Sequence, residues 1–66
     1  MKIYVLVSKY FAVSNIVLVD TNVEEVKKRI SEMCKHYEYP EVQVWENGKL
    51  IEKADGNDAL KLLAHE

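Results

Sequence analysis

The chain has few of the residues that usually stabilise a very small domain. It has 66 residues and one cysteine, Cys34, so no disulfide can form within it. A chain of this length buries only about 60% of the surface of its unfolded state, which limits the stability that a core alone provides. The other soft metal ligands, His36 and His65, lack the paired spacing of a structural zinc site. Association with another chain is therefore the remaining source of stability.

The chain also lacks an excess of positive charge and a long apolar run. Its formal net charge is -2, whereas proteins that mainly bind nucleic acid usually carry a basic excess. The apolar run over residues 3 to 7 is too short for the core of a signal peptide or for a membrane span. A lone cysteine is typical of a reducing compartment. We therefore expect one cytoplasmic domain, residues 1 to 66, without membrane association.

The strongest pattern in the chain is an amphipathic helix over residues 22 to 37. Its apolar residues recur at steps of three and four, which places them on one face. They are Val23, Val26, Ile30, Met33 and Tyr37. Thr21 and Glu24 have the spacing of a capping box, which predicts the start of the helix. Pro40 disfavours helical backbone at the residue before it, so the helix should end near Tyr37.

Four strand-like segments surround this helix, two before it and two after it. They cover residues 2 to 7, 11 to 19, 41 to 46 and 49 to 53. Asn47-Gly48 predicts a two-residue turn between the last two strands, because such a turn needs positive φ at both positions. A loop of several residues should join the first two strands, and a short helix should cover residues 59 to 65. The predicted order β-β-α-β-β-α gives an α+β fold, a small antiparallel-rich sheet with one main helix packed on one face.

No group of residues has the pattern of a catalytic, cofactor or metal site. Cys34 and His36 lie two positions apart on the helix, so they point to different sides and do not form a nucleophile and its base. The oxygen-bearing residues around Gly56, together with Glu66, resemble the ligands of a calcium loop. No helix enters that segment, however, and helix capping explains these residues better. We therefore predict no enzyme activity, no cofactor and no metal.

The helix carries a cluster of basic residues that offers an alternative function. The cluster consists of Lys27, Lys28, Arg29 and Lys35. These residues could contact phosphate groups, which would make the protein nucleic-acid-associated. Glu24, Glu25 and Glu32 are interleaved with them and cancel most of the local positive field. A solvated helix face is the simpler interpretation, so nucleic acid is not the expected main partner.

The predicted sheet has more apolar residues than one helix covers. If Val5 and Val44 face the helix, alternation along the strands places Tyr4, Leu6 and Trp45 on the far side. An exposed apolar surface of this kind indicates an interaction site. The predicted interaction residues, for a homodimer or another protein partner, are Tyr4, Leu6, Val17, Val19 and Trp45. The alternative is that the C-terminal helix covers the far side within one chain.

The hairpin over residues 41 to 52, Glu-Val-Gln-Val-Trp-Glu-Asn-Gly-Lys-Leu-Ile-Glu, follows a Lys/Glu-rich helix and two strands. In size and order of elements the chain resembles small uncharacterised proteins of phages and prophages of Gram-positive bacteria. The Yopt family, a small homodimeric fold of one helix with strands, is one such group. The resemblance implies a cytoplasmic dimer of unknown role, such as an accessory protein that binds a host protein. It assigns no functional residue.

Overall fold

A computed structural model describes residues 1–36 and 38–66 and shows the predicted order of elements. The elements are β1 (Lys2–Tyr10), β2 (Val13–Asp20), α1 (Val23–Lys35), β3 (Tyr39–Glu46), β4 (Lys49–Asp55) and α2 (Asn57–Ala64). The predicted α+β fold is confirmed. Tyr37, which was expected to end the apolar stripe of the main helix, lies outside the described residues.

The four strands form one antiparallel sheet in the order β2-β1-β3-β4. The two N-terminal segments of strand pattern thus pair with each other, and β1 also pairs with β3. Tyr4 lies opposite Val44, and Leu6 lies opposite Val42. Directly paired residues point to the same face of a sheet. This register therefore places Tyr4 and Leu6 on the same face of the sheet as Val42 and Val44.

Both helices pack on the same side of the sheet and share one core. The core residues are Tyr4, Leu6, Val26, Ile30, Met33, Val42, Val44, Ala59 and Leu63. Val26, Ile30 and Met33 follow the helical spacing in α1, and Ala59 and Leu63 are one turn apart in α2. Because α2 joins this core, it does not cover the far side of the sheet, contrary to the alternative drawn from the sequence.

The start of α1 differs from the predicted capping box. Asn22, not Thr21, is the N-cap, and its side-chain oxygen accepts a hydrogen bond from the Glu24 amide at 3.0 Å. The Asp20 carboxylate in turn accepts from the Asn22 amide at 2.9 Å. Asparagine and threonine are both good N-caps, and the sequence offered them side by side. The helix consequently starts at Val23, one residue later than predicted.

Of the two predicted hairpin connections, the one between β3 and β4 is confirmed and the one between β1 and β2 is wrong. Asn47 and Gly48 have φ of 54° and 76° and join Glu46 directly to Lys49, which confirms the predicted two-residue turn. The loop predicted between the first two strands is wrong, because β1 runs to Tyr10 and pairs there with Val13. The turn between them contains two residues, of which Phe11 has φ of 53°. Positive φ is rare for a bulky residue, so nothing in the local sequence signals this turn.

Candidate interaction surface on the open face of the sheet

The side of the sheet opposite both helices is called the open face here, and none of the described elements packs on it. Alternation along β1 and the register with β3 place two rows of side chains on it. The rows are Ile3, Val5, Val7 and Lys9 on β1, and Tyr39, Glu41, Gln43 and Trp45 on β3. The outer strands add residues that pair with these rows, including Val19 on β2 and Leu50 on β4.

One end of the open face is apolar. Ile3, Trp45 and Leu50 occupy paired positions across three adjacent strands. Val5 and Val19 form the neighbouring pair between β1 and β2. Ile3 is 41% exposed, Leu50 45% and Val19 56%, while Trp45 is half-buried among its neighbours. A contiguous group of partly exposed apolar side chains around a tryptophan is typical of a protein-binding surface.

The other end of the open face is ionic. The Lys9 ammonium lies 2.8 Å from a Glu41 carboxylate oxygen and 3.5 Å from an Asp55 carboxylate oxygen. Glu41 is only 5% exposed and is flanked by Val7, which is also buried. A buried carboxylate needs a paired charge to offset its loss of hydration. Lys9 on β1, which also contacts Asp55 on β4, therefore supplies the charge that pairs with Glu41 on this face.

Hydrogen bonds along β3 connect the ionic end to the tryptophan. The Gln43 side-chain amide donates to Glu41 at 2.8 Å, and the Trp45 indole N–H donates to the Gln43 oxygen at 3.0 Å. These residues alternate along the strand, so their side chains lie on one face. The chain of bonds satisfies the polar atom of Trp45 and holds its ring in one orientation. An oriented aromatic ring loses little entropy when a partner covers it.

The charges of this cluster stabilise one another. The Lys9 hydrogen bond is the main reason why the pKa of Glu41 lies below its ordinary value, with a further contribution from Gln43. The Glu41 hydrogen bond in turn raises the pKa of Lys9. Both groups are therefore charged at neutral pH. The cluster offers fixed charges of both signs rather than a group that exchanges protons near neutrality.

The structure separates the five predicted interaction residues. Val19 and Trp45 lie on the open face as expected. The predicted placement of Tyr4 and Leu6 is wrong, since both are buried in the core under the helices, at 6% and 0% exposure. Val17 lies at the irregular step between β1 and β2, where it has no direct partner, and it packs against the core.

The placement failed because the expectation assumed that Val5 and Val44 share a face. They do not, because Val44 lies opposite Tyr4. Sequence reasoning consequently missed Ile3 and Leu50, which surround Trp45, and the ionic cluster around Glu41. The sequence of β1 gives no clear signal of its faces, because Lys9 lies in the row of Ile3, Val5 and Val7 while Lys2 lies in the row of Tyr4 and Leu6.

The basic cluster of α1 does not form a continuous positive surface. Lys27 lies 3.5 Å from Glu24, and this is the one ion pair of α1 among the described residues. Lys28 and Arg29 line a shallow groove together with Glu25 and Glu32. Acidic and basic side chains are thus mixed on this part of α1.

The residues considered for other chemistry are dispersed. Asp55 binds Lys9 on the open face, while Glu66 binds Lys2 at 2.9 Å, so they do not form a calcium loop. Cys34 is exposed on α1. Within the part of the chain that the structure describes, no three His, Cys, Asp or Glu residues converge in a way that could hold a metal ion. Neither of the helices described has the length and apolar character needed to span a membrane.

Comparison with known proteins gave no match. No protein-family model, curated protein or solved structure shows significant similarity to the chain.

Proposed function

We propose that the protein is a small protein-interaction module that forms a homodimer through the open face of its sheet. The observation that carries this proposal is the position of Trp45, held by Gln43 among partly exposed apolar residues on a face that both helices leave uncovered. Tryptophan in such a setting is the usual anchor of a protein interface. Ile3 and Leu50 lie on either side of it, Val19 extends the apolar area to β2, and these side chains would exclude water from the contact.

A second copy of the chain suits this face because the face is complementary to itself. A two-fold interface brings the same surface of both subunits together. The open face carries Lys9 and Lys53 together with Glu41 and Asp55, so its ionic residues balance in charge. Rotation by a two-fold axis can therefore place acidic groups near basic groups while the apolar ends meet. A short chain with a single cysteine also gains stability from such an association.

The proposed role is binding rather than catalysis. The ionic residues of the open face are paired with one another, and the nearby hydrogen bonds orient Trp45. A cytoplasmic location is part of the proposal, supported by the exposed free thiol of Cys34, which suits a reducing compartment. The resemblance in size and element order to small phage and prophage proteins supports an accessory role in which the dimer engages another protein.

Fluorescence of Trp45 tests this proposal, because the chain has one tryptophan. Its ring is half-buried in one copy and would be covered in a dimer. Emission should move to shorter wavelength as the protein concentration rises from about 1 to about 100 µM, the range over which a micromolar dimer forms. Leu50→Lys should abolish this change, whereas Leu60→Lys, on α2, should retain it. An emission maximum independent of concentration would contradict the proposal.

A further inference from the structure

The two outer strands of the sheet differ in how their edges are protected. The pairing of each outer strand with its neighbour contains one irregular step, but only the β4 edge carries charged side chains along its length, Lys49, Glu52 and Lys53. Charged side chains are a usual means of preventing further strands from joining a sheet. The β2 edge has neither a charged residue nor a proline between Val13 and Val19. Its unpaired backbone groups are thus open to an additional strand.

A groove runs beside this unprotected edge, on the side of the sheet that carries the helices. Its floor is Leu18 of β2, and its volume is about 220 Å³. Its wall is one stripe of α1 at helical spacing, Glu25, Lys28, Arg29 and Glu32. Leu18 lies opposite the core residue Leu6 and packs on the core from the edge. The groove is therefore where the helix-facing side chains of a strand added to β2 would lie.

The charged residues of this wall have no ion-pair partner among the described residues. All four are exposed, and they present two acidic and two basic groups around one apolar contact. Successive helix-facing side chains of an added strand are about 7 Å apart, which is close to the rise of a helical turn. If one side chain of the added strand is apolar and lies over Leu18, the helix-facing side chains two residues before and after it would thus lie near charged groups of the wall.

We propose that an extended peptide segment of a partner protein adds to the edge of β2 and places its side chains in this groove. The segment has an apolar residue over Leu18 and, two residues away on either side, one acidic and one basic residue. Backbone hydrogen bonds to β2 supply affinity, and the groove supplies specificity, as in other cases of strand addition. The whole sheet is antiparallel, and antiparallel addition would continue it.

A second copy of β2 is a poorer occupant of this edge. Between Val13 and Val19 the strand has no charged side chain, so it cannot pair with the acidic and basic groups of the α1 wall. A helix is also a poorer occupant, because its backbone groups are bonded internally and cannot satisfy those of an open strand edge. The peptide site is therefore distinct from the open face that we assign to the homodimer.

Titration with synthetic peptides tests this inference by NMR of the full chain. The probes are two seven-residue peptides, Thr-Glu-Thr-Leu-Thr-Lys-Thr and Thr-Lys-Thr-Leu-Thr-Glu-Thr. They carry the acidic and the basic residue on opposite sides of the leucine, so that one of them matches the order of charges along the wall. At least one should shift the amide signals of Val13–Asp20 and of the α1 stripe, with saturation below about 1 mM. A peptide with aspartate in place of leucine should not. Absence of shifts, or shifts centred on β4 or on the open face, would overturn the inference.

Charge reversal in the groove wall provides a second arm. Arg29→Glu should weaken the better peptide by about two- to fivefold, the effect of one exposed ion pair. Exchange of the acidic residue of that peptide for lysine should then restore binding. Lys61→Glu makes the same charge change on α2, away from the groove, and should leave binding unchanged. Equal weakening by both variants would show a general charge effect and would overturn the assignment of the groove.

Discussion

Asn22 is the N-cap of α1, the position that the sequence pattern assigned to Thr21. Its side chain accepts from the Glu24 amide and so satisfies one of the free donors at the start of α1. Asn22→Ala should lower the free energy of unfolding by about 1 kcal/mol, the usual effect of losing an N-cap. Thr21→Ala should change it by less than half of that. Urea denaturation of the two variants measures both changes. A larger loss for Thr21→Ala than for Asn22→Ala would mean that Thr21 is the N-cap, as the capping box predicts.

Ionisation of the Glu41 carboxyl group makes the stability of the protein depend on pH. Its pKa in the folded protein is lowered from the ordinary value of 4.5, chiefly by Lys9. A carboxyl group with a lowered folded pKa stabilises the protein fully above its unfolded pKa. That contribution is lost as pH falls through the lower, folded pKa. We therefore expect the stability advantage of the wild type over Glu41→Gln to be largest near neutral pH and to shrink below about pH 4.5.

Urea denaturation from about pH 3 to about pH 7 measures this difference. Glu25→Gln is the matched control, because Glu25 is exposed and makes no ion pair with the described residues. Its unfolding curve should follow the wild type at each pH. A constant difference between wild type and Glu41→Gln across the range would mean that the ion pair with Lys9 does not contribute to folding.

At the scale of elements, α1 was the most predictable part of the chain. Steps of three and four between Val26, Ile30 and Met33 leave one face for the core, and the predicted bounds differ from the observed ones by one or two residues. The Asn47-Gly48 turn was predictable because few residues tolerate positive φ. The turn at Phe11 was not, since its residue types favour other backbone conformations.

The faces of β1 could not be assigned from its own sequence. Ile3, Val5 and Val7 alternate with Tyr4 and Leu6, so both sides of the strand are apolar. Only the pairing with β3, which sets Tyr4 opposite Val44, decides which side is buried under the helices. Pairing between strands distant in sequence is a tertiary property, and a shift of one residue exchanges the two faces. The composition of the candidate surface depended on this single register.

The two faces of β1 should respond differently to truncation. Leu6 is fully buried in the core, so Leu6→Ala should lower the free energy of unfolding by about 2–5 kcal/mol. Ile3 lies on the open face and is 41% exposed, so Ile3→Ala should lower it by less than about 1 kcal/mol in a dilute, monomeric sample. Thermal or urea unfolding at low concentration measures both. A larger loss of unfolding free energy for Ile3→Ala than for Leu6→Ala would mean that Ile3, and not Leu6, faces the helices.

At the scale of the whole molecule, both helices lie on one side of a four-stranded sheet. The protein is thus a two-layer structure whose third layer, over the open face, is absent from the described chain. Trp45 stands in the apolar part of that face, and a balanced ionic cluster stands at its other end. Association of two copies would complete the layer and bury the apolar part.

Sedimentation equilibrium of three proteins measures whether the chain forms this dimer. At tens of micromolar the wild type should have twice the 7.7 kDa mass of the chain. Ile3→Lys should have the single mass and keep its circular dichroism. Leu60→Lys, a change of similar exposure on α2 at 39% against 41% for Ile3, should remain a dimer. A wild type that stays at the single mass at about 100 µM, or an Ile3→Lys variant that remains dimeric, would contradict dimerisation through the open face.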